Sequence, residues 1–310
     1  MSVILVPRIF ESKIRERGHE RHMLLFEMLQ DRLGYKIQYK PFIQAVPDCE
    51  TLISYGWEFR ADSDLEKLIA EPKSKTKIVA FLYDPTWMHK ALLPKYLERA
   101  DLIVSPLKQF FERQYSEYAH KMLWLPNYFA PRERFCLPYN EKPLLKCLLP
   151  GQVLKYHPVR LKVLLAVHDN PELRPKVDIL GHLRFPKKFY TREAVPYEDF
   201  GRVLNEYFCA ITDSSHGTHD SVIAKYFEIP AAGALLLATR TQDLSDIGFV
   251  PYVHYVPVTL ENVLERIETV LANPDEFEHI RKEGMEYVRA NHGIEQRLEA
   301  LQGILEEIKK

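Results

Sequence analysis

Residues 211–238 read Ile211-Thr-Asp213-Ser-Ser-His-Gly-Thr-His-Asp220-Ser-Val-Ile-Ala-Lys225-Tyr-Phe-Glu228-Ile-Pro-Ala-Ala-Gly233-Ala-Leu-Leu-Leu-Ala238. The apolar run ending at Thr212 predicts a strand, and the small, hydroxylated residues after it predict a loop. A helix is expected to start around Thr218–Asp220, and the run after Gly233 predicts a second strand. Strand, loop, helix and strand in that order form the unit of a parallel α/β sheet. Free N–H groups and the positive dipole end at such a helix start suit a diphosphate. Ser214, Ser215, Thr218 and Ser221 would add hydroxyl donors, and Lys225 a charge if it turns toward the ligand. Asp220 and Glu228 stand eight positions apart, so on an unbroken helix they share a face. A carboxylate there can accept two hydrogen bonds from vicinal ribose hydroxyls. The same residues also fit a local role, with Thr218 or Asp220 as an N-cap and Glu228 as a solvated helix-end residue.

Outward from this stretch the pattern repeats. Strands are expected at Val3–Val6, Lys36–Tyr39, Leu52–Tyr55, Ile78–Tyr83, Leu102–Ser105 and Met122–Leu125. They resume at Leu144–Leu149, Val177–Leu180, Phe208–Thr212, Ala234–Ala238 and Val253–Tyr255. The segment Asn127–Pro143 is rich in proline and charge and marks a boundary. The expected organisation is an acceptor-side domain over 1–140, a donor-binding domain over 141–292 and a helix over 293–310. In that helix Ile294, Leu298, Leu301, Leu305 and Ile308 form one apolar seam, which would pack back on the first domain. Contact with a membrane surface is the other use of such a seam, but Glu295, Glu299, Glu306 and Glu307 do not favour an anionic bilayer.

Composition sets bounds. A chain of 310 residues with 46% hydrophobic content can bury the cores of two domains. Lysine plus arginine total 42 against 43 acidic residues, which argues against a broad polyanion-binding surface and against nucleic acid as a partner. Cys49, Cys136, Cys147 and Cys209 show no C-x-x-C spacing, so they read as reduced thiols of a cytoplasmic protein. The apolar run at residues 1–6 is too short for a signal-peptide core. No apolar stretch approaches the roughly 18 residues of a transmembrane segment. Neither G-x-G-x-x-G nor a P-loop pattern occurs, so dinucleotide redox chemistry and P-loop hydrolysis lose support. His216 and His219, near Asp213, have a spacing a metal could use, but the loop reads better as a phosphate cradle.

The stretch Ala224–Leu237, with its Phe-Glu-Ile-Pro-Ala-x-Gly core, resembles the donor-binding signature of the "group 1" GT-B glycosyltransferases, closest to their spore-maturation-protein-like branch. That resemblance implies an α/β GT-B fold, with two doubly wound Rossmann-like domains facing each other across a cleft. It implies a retaining transferase that needs no metal or cofactor. The enzyme would move a sugar from a nucleotide-sugar donor to a carbohydrate or glycoconjugate acceptor, the departing phosphate helping to deprotonate it. Glu228 then matches the residue that holds the ribose. Asp220 matches the one beside the transferred sugar, where the family carries glutamate, one methylene longer. Arg17-Gly18-His19-Glu20 is similar to the family's glycine loop, with Gly18 allowing close backbone approach. In Leu149-Pro-Gly151-Gln-Val-Leu-Lys155-Tyr-His-Pro158-Val-Arg160 the resemblance points to Gly151, Lys155 and Arg160 near the diphosphate.

Two further residues follow the strand Ile78–Phe81. Asp84 could orient or deprotonate the acceptor hydroxyl and His89 could contact the donor sugar, or Asp84 simply caps the next helix. Trp57, Tyr83 and Trp87 suit sugar stacking, although such residues usually serve the core. A non-catalytic GT-B module that binds nucleotide or glycan in a surface assembly is the alternative, because fold alone does not decide activity.

Overall fold

The computed structural model describes residues 2–7, 20–40, 49–56, 75–82, 93–126, 130–151, 153, 157–181, 189–214 and 221–308. The chain divides into two units, Met1–Asn127 with Glu295–Lys310, and Tyr128–Ile294.

The first unit is built on β1 (Val3–Pro7), β2 (Lys36–Lys40), β3 (Thr51–Gly56), β4 (Lys77–Leu82), β5 (Leu102–Ser105) and β6 (Met122–Trp124). They form a six-stranded sheet of order β2-β1-β3-β4-β5-β6, and its pairs are parallel. Side chains alternate between its faces, as a period of two requires. Leu52, Ile78, Ala80, Leu82 and Ile103 enter one cluster, and Ile4, Ile53, Val79, Phe81 and Val104 the other. Among its helices are α1 (Glu20–Leu33), α2 (Leu93–Arg99) and α3 (Lys108–Gln114).

The second unit contains α4 (Arg132–Phe135), β7 (Leu144–Leu149), α5 (Pro158–Asp169), β8 (Val177–Ile179), α6 (Tyr197–Asn205) and β9 (Tyr207–Thr212). After these come α7 (Lys225–Ala231), β10 (Leu235–Ala238), α8 (Gln242–Asp246), β11 (Val256–Pro257), α9 (Val263–Ala272) and α10 (Pro274–Asn291). The five strands lie in the order β11-β10-β9-β7-β8. The chain steps from β7 to β8 on one side, then returns to build β9, β10 and β11 on the other. That reversal makes β7 and β9 the topological switch point, and doubly wound sheets bind ligands beyond the carboxyl ends of the strands there. All six residues of β9 are buried, which explains its unbroken apolar sequence in a sheet covered on both faces.

The last helix, α11 (Ile294–Glu307), buries Leu298, Leu301 and Leu305 against Met23, Phe26 and Leu29 of α1 and against Ile4 and Phe81. Arg32 and Glu295 make a two-pronged ion pair at 2.7 and 2.9 Å along its edge. Among the described residues no helix is long and apolar enough to cross a membrane.

The division falls at the amino end of the boundary segment Asn127–Pro143 read from sequence, not at residue 140. Ala130 and Phe135 belong to the apolar cluster of Leu148, Ala210 and Phe227. Arg289 donates to Leu137 O at 2.6 Å and Arg281 to Asn140 O at 2.9 Å. Proline and charge at 130–143 therefore mark a segment held by α10, not a loose linker. A second difference lies at 253–255, expected as a strand. There Val250 N–H donates to His254 Nδ1 at 3.1 Å, and His254 N–H to Val250 O at 2.9 Å. Tyr252 takes a positive φ of 62°, so the chain turns, and pairing with β10 starts at Val256.

Candidate functional site

The site grows from the carboxyl ends of β7 and β9. Beyond β7 the chain turns at Gly151, whose φ of +80° lies in the left-handed region that favours glycine. A Cβ at Gly151 would lie 2.7 Å from Lys225 Nζ and overlap its Cε. The Lys225 side chain thus runs across Gly151, and the first residue of α7 reaches the loop after β7. Gly151→Ala is expected to displace that ammonium, and affinity for the diphosphate that the sequence leads one to expect here should then fall by roughly tenfold, at about 1.4 kcal/mol per decade. Calorimetry on the variant and on Lys225→Ala checks this, and unchanged binding in both would remove the pair from the site.

Beyond β9 the chain reaches Asp213, fully buried. Its Oδ2 accepts from Val159 N–H at 2.9 Å and from Arg160 N–H at 3.3 Å, the first turn of α5. Its Oδ1 accepts from Arg160 Nε at 2.5 Å, and His157 Nδ1 stands 3.7 Å away. The carboxylate therefore caps α5 and neutralises a guanidinium that is 1% exposed. It joins the loops that follow β7 and β9. An internal anion already occupies the amino end of α5, and Arg160 is engaged with it.

Ser214 N–H donates to Thr239 Oγ1 at 3.3 Å. Thr239 also meets Tyr226 Oη at 3.0 Å. Burial raises the Tyr226 phenol well above its ordinary pKa, so it stays protonated. Ser221 is buried as well. Thr218–Asp220, where a helix start was expected, lie outside the described residues; residues 221–223 are not helical, and α7 begins at Lys225. Val222 instead sinks into the cluster around Phe227 and Val288, which draws the chain inward before it can wind. The shared-face argument for Asp220 and Glu228 assumed an unbroken helix and does not apply.

Glu228, 2% exposed, is not the solvated helix-end residue that its charge allows. Tyr197 Oη donates to its Oε1 at 2.9 Å. The helix breaks soon after, because Pro230 lacks an N–H and Gly233 takes a φ of +88°.

The second unit thus places Lys225 against Gly151, with Glu228 one turn further along the same helix. Asp220, Ser215, Thr218, Lys155, Gly18, Asp84 and His89 lie outside the described residues, as do His216, His219, Trp57, Tyr83 and Trp87. Two residues escaped the sequence reading as parts of the site. Asp213 carried a usable signal, an acid at a strand's carboxyl end with Arg160 just inside a helix start. Tyr197 carried none, since only the fold brings it to Glu228.

Several solved structures similar to this chain span nearly its whole length. An α-glucosyltransferase in complex with UDP superimposes with a TM-score of 0.68 at 12% identity, covering 100% of both chains. The fold is GT-B. The Anabaena protein HepE in complex with UDP has this GT-B fold too, with a TM-score of 0.64 at 9% identity, covering 99% of this chain and 100% of that one. An α-glucosyltransferase bound to UDP and a 13-mer DNA containing an HMU base gives 0.67 at 12% identity and 99% coverage of both. Residues 160–303 match the family described as glycosyl transferase-like. No curated protein sequence matches the chain. The exclusion of nucleic acid read from overall charge is not supported, because a GT-B protein of this shape holds DNA. A near-neutral total says nothing about where the charges cluster.

Proposed function

We propose that this chain is a glycosyltransferase that moves a sugar from a UDP-sugar to a hydroxyl acceptor. One observation carries the reading: a buried carboxylate, Glu228, and an ammonium, Lys225, stand on one short helix at the switch point of a GT-B sheet. That pairing suits the ribose and the diphosphate of one nucleotide. The UDP held by the similar structures, and the glycosyl transferase-like match over 160–303, support the same donor class. The core Phe227-Glu-Ile-Pro-Ala-Ala-Gly233 favours the spore-maturation-protein-like branch.

In this reading the ribose hydroxyls donate to Glu228. The diphosphate lies against Lys225 and Gly151, with hydroxyls of Ser214, Ser215, Thr218 and Ser221 and the Lys155 ammonium around it. Arg160 contributes through Asp213. Asp220 stands beside the sugar, His89 contacts it, Asp84 orients the acceptor, and Gly18 gives the backbone room. The acceptor oxygen forms the new bond to the anomeric carbon while the bond to the β-phosphate oxygen breaks, and the acceptor proton passes to the departing phosphate. Configuration is retained and no metal takes part.

The test is UDP release from UDP-glucose, with sugars and DNA as acceptors and with or without a chelator. Release that survives chelation supports the reading. The triplet Asp62-Ser63-Asp64 has the Asp-x-Asp spacing of metal-dependent transferases, so abolition by the chelator would overturn metal independence. Binding of UDP with no turnover on any acceptor would instead make the chain a non-catalytic module. Glu228→Ala is expected to weaken UDP binding by roughly 10- to 100-fold, since hydrogen bonds to a charged group contribute about 1.5–3 kcal/mol. Unchanged affinity by calorimetry would take Glu228 out of the site.

A further inference from the structure

We propose that Tyr197 is a positioning residue that aims Glu228 at the ribose, and so makes the site select ribonucleotides over sugars lacking the vicinal diol. The inference rests on the donor reading above. Tyr197 opens α6, while Glu228 sits thirty-one positions away on α7, joined to it by the 2.9 Å hydrogen bond from Tyr197 Oη to Oε1. The phenol ring is itself held on several sides. It stacks on Phe200 with centroids 6.4 Å apart and planes at 29°. Phe135 meets it at 5.8 Å, and the Arg134 guanidinium lies 5.4 Å over its face.

A buried carboxylate is costly to desolvate unless donors satisfy it. One fixed donor on Oε1 also stops the group from rotating, so its plane has a set direction. The two oxygens offer about four lone-pair sites, so a phenol on one oxygen leaves capacity for two hydroxyls. A carboxylate so oriented discriminates by charge-assisted hydrogen bonds. An analogue lacking both hydroxyls makes neither of these bonds to the carboxylate, which penalises it strongly.

The experiment compares UDP with 2′,3′-dideoxy-UDP on the wild type and on Tyr197→Phe, by calorimetry, with melting temperature recorded for both. Phenylalanine keeps the ring packing against Phe135, Phe200 and Arg134, so the fold is expected to survive. The wild type should prefer UDP. Tyr197→Phe should weaken UDP by about tenfold, as one charge-assisted hydrogen bond implies, while leaving dideoxy-UDP unchanged. In a Glu228→Gln background the same substitution should lose most of its effect. Equal weakening of both nucleotides, or none of either, overturns the role of Tyr197 and leaves the donor reading standing. A wild type that binds UDP, ADP and GDP no better than their dideoxy forms removes the diol from recognition and overturns the inference too. Failure to bind any of the three sinks the donor reading itself.

Discussion

Replacing Asp213 with alanine is expected to cost the second unit about 3–5 kcal/mol of unfolding free energy, the cost seen when one partner leaves a buried ion pair. The Arg160 side chain is 2% exposed and that of Asp213 is fully buried, so water cannot take the carboxylate's place. The backbone N–H groups of Val159 and Arg160 lose their acceptor in the same step, and unmade buried hydrogen bonds are costly. Asparagine at 213 keeps an oxygen for the helix start but not the charge, so it should fall between wild type and alanine. Arg160→Met added to Asp213→Ala should recover part of the loss, because the stranded charge is then gone. Urea unfolding of the three variants gives the ordering. A loss below about 1 kcal/mol for Asp213→Ala would show that the pair contributes like an exposed one. Asp213 also ties together the loops after β7 and β9, so Asp213→Asn should weaken UDP binding as well as stability.

Asp220→Asn is expected to lower kcat by about 100-fold or more, the scale of losing one electrostatic contact to a transition state, with little change in UDP affinity. The motive is its place in the sequence, eight residues before Glu228 and between the end of β9 and the start of α7. A carboxylate near the anomeric carbon stabilises positive charge that develops as the bond to phosphate breaks. That charge is absent in the bound donor, so its stabilisation enters kcat and not ground-state binding. Loss of a local cap would read differently, lowering the melting temperature by a few degrees with turnover kept. The measurement is therefore paired, kcat and melting temperature on one variant, with Asp220→Glu alongside to test the shorter side chain. A variant that melts earlier yet turns over normally would make Asp220 a structural residue.

The sequence alone determined the parallel α/β class and most strand positions. Leu102–Ser105 and Leu144–Leu149 were legible to the residue, because each is a short, mostly apolar run bounded by polar or turn-forming residues. The GT-B fold was legible only through the family resemblance carried by Ala224–Leu237, while the short helix broken after Pro230 was not. Local pattern misled where packing overrides it. The chain at 221–223 is not helical, with Val222 drawn into the core, and 253–255 turns because His254 bonds back to Val250. Tertiary structure alone decided that Arg160 faces Asp213, that Lys225 crosses Gly151 and that Tyr197 reaches Glu228. These pairs join residues from 31 to 74 positions apart, so no periodicity encodes them. They arise where the strand order reverses at β7 and β9, and side-chain partners there are chosen by the crossover of the chain.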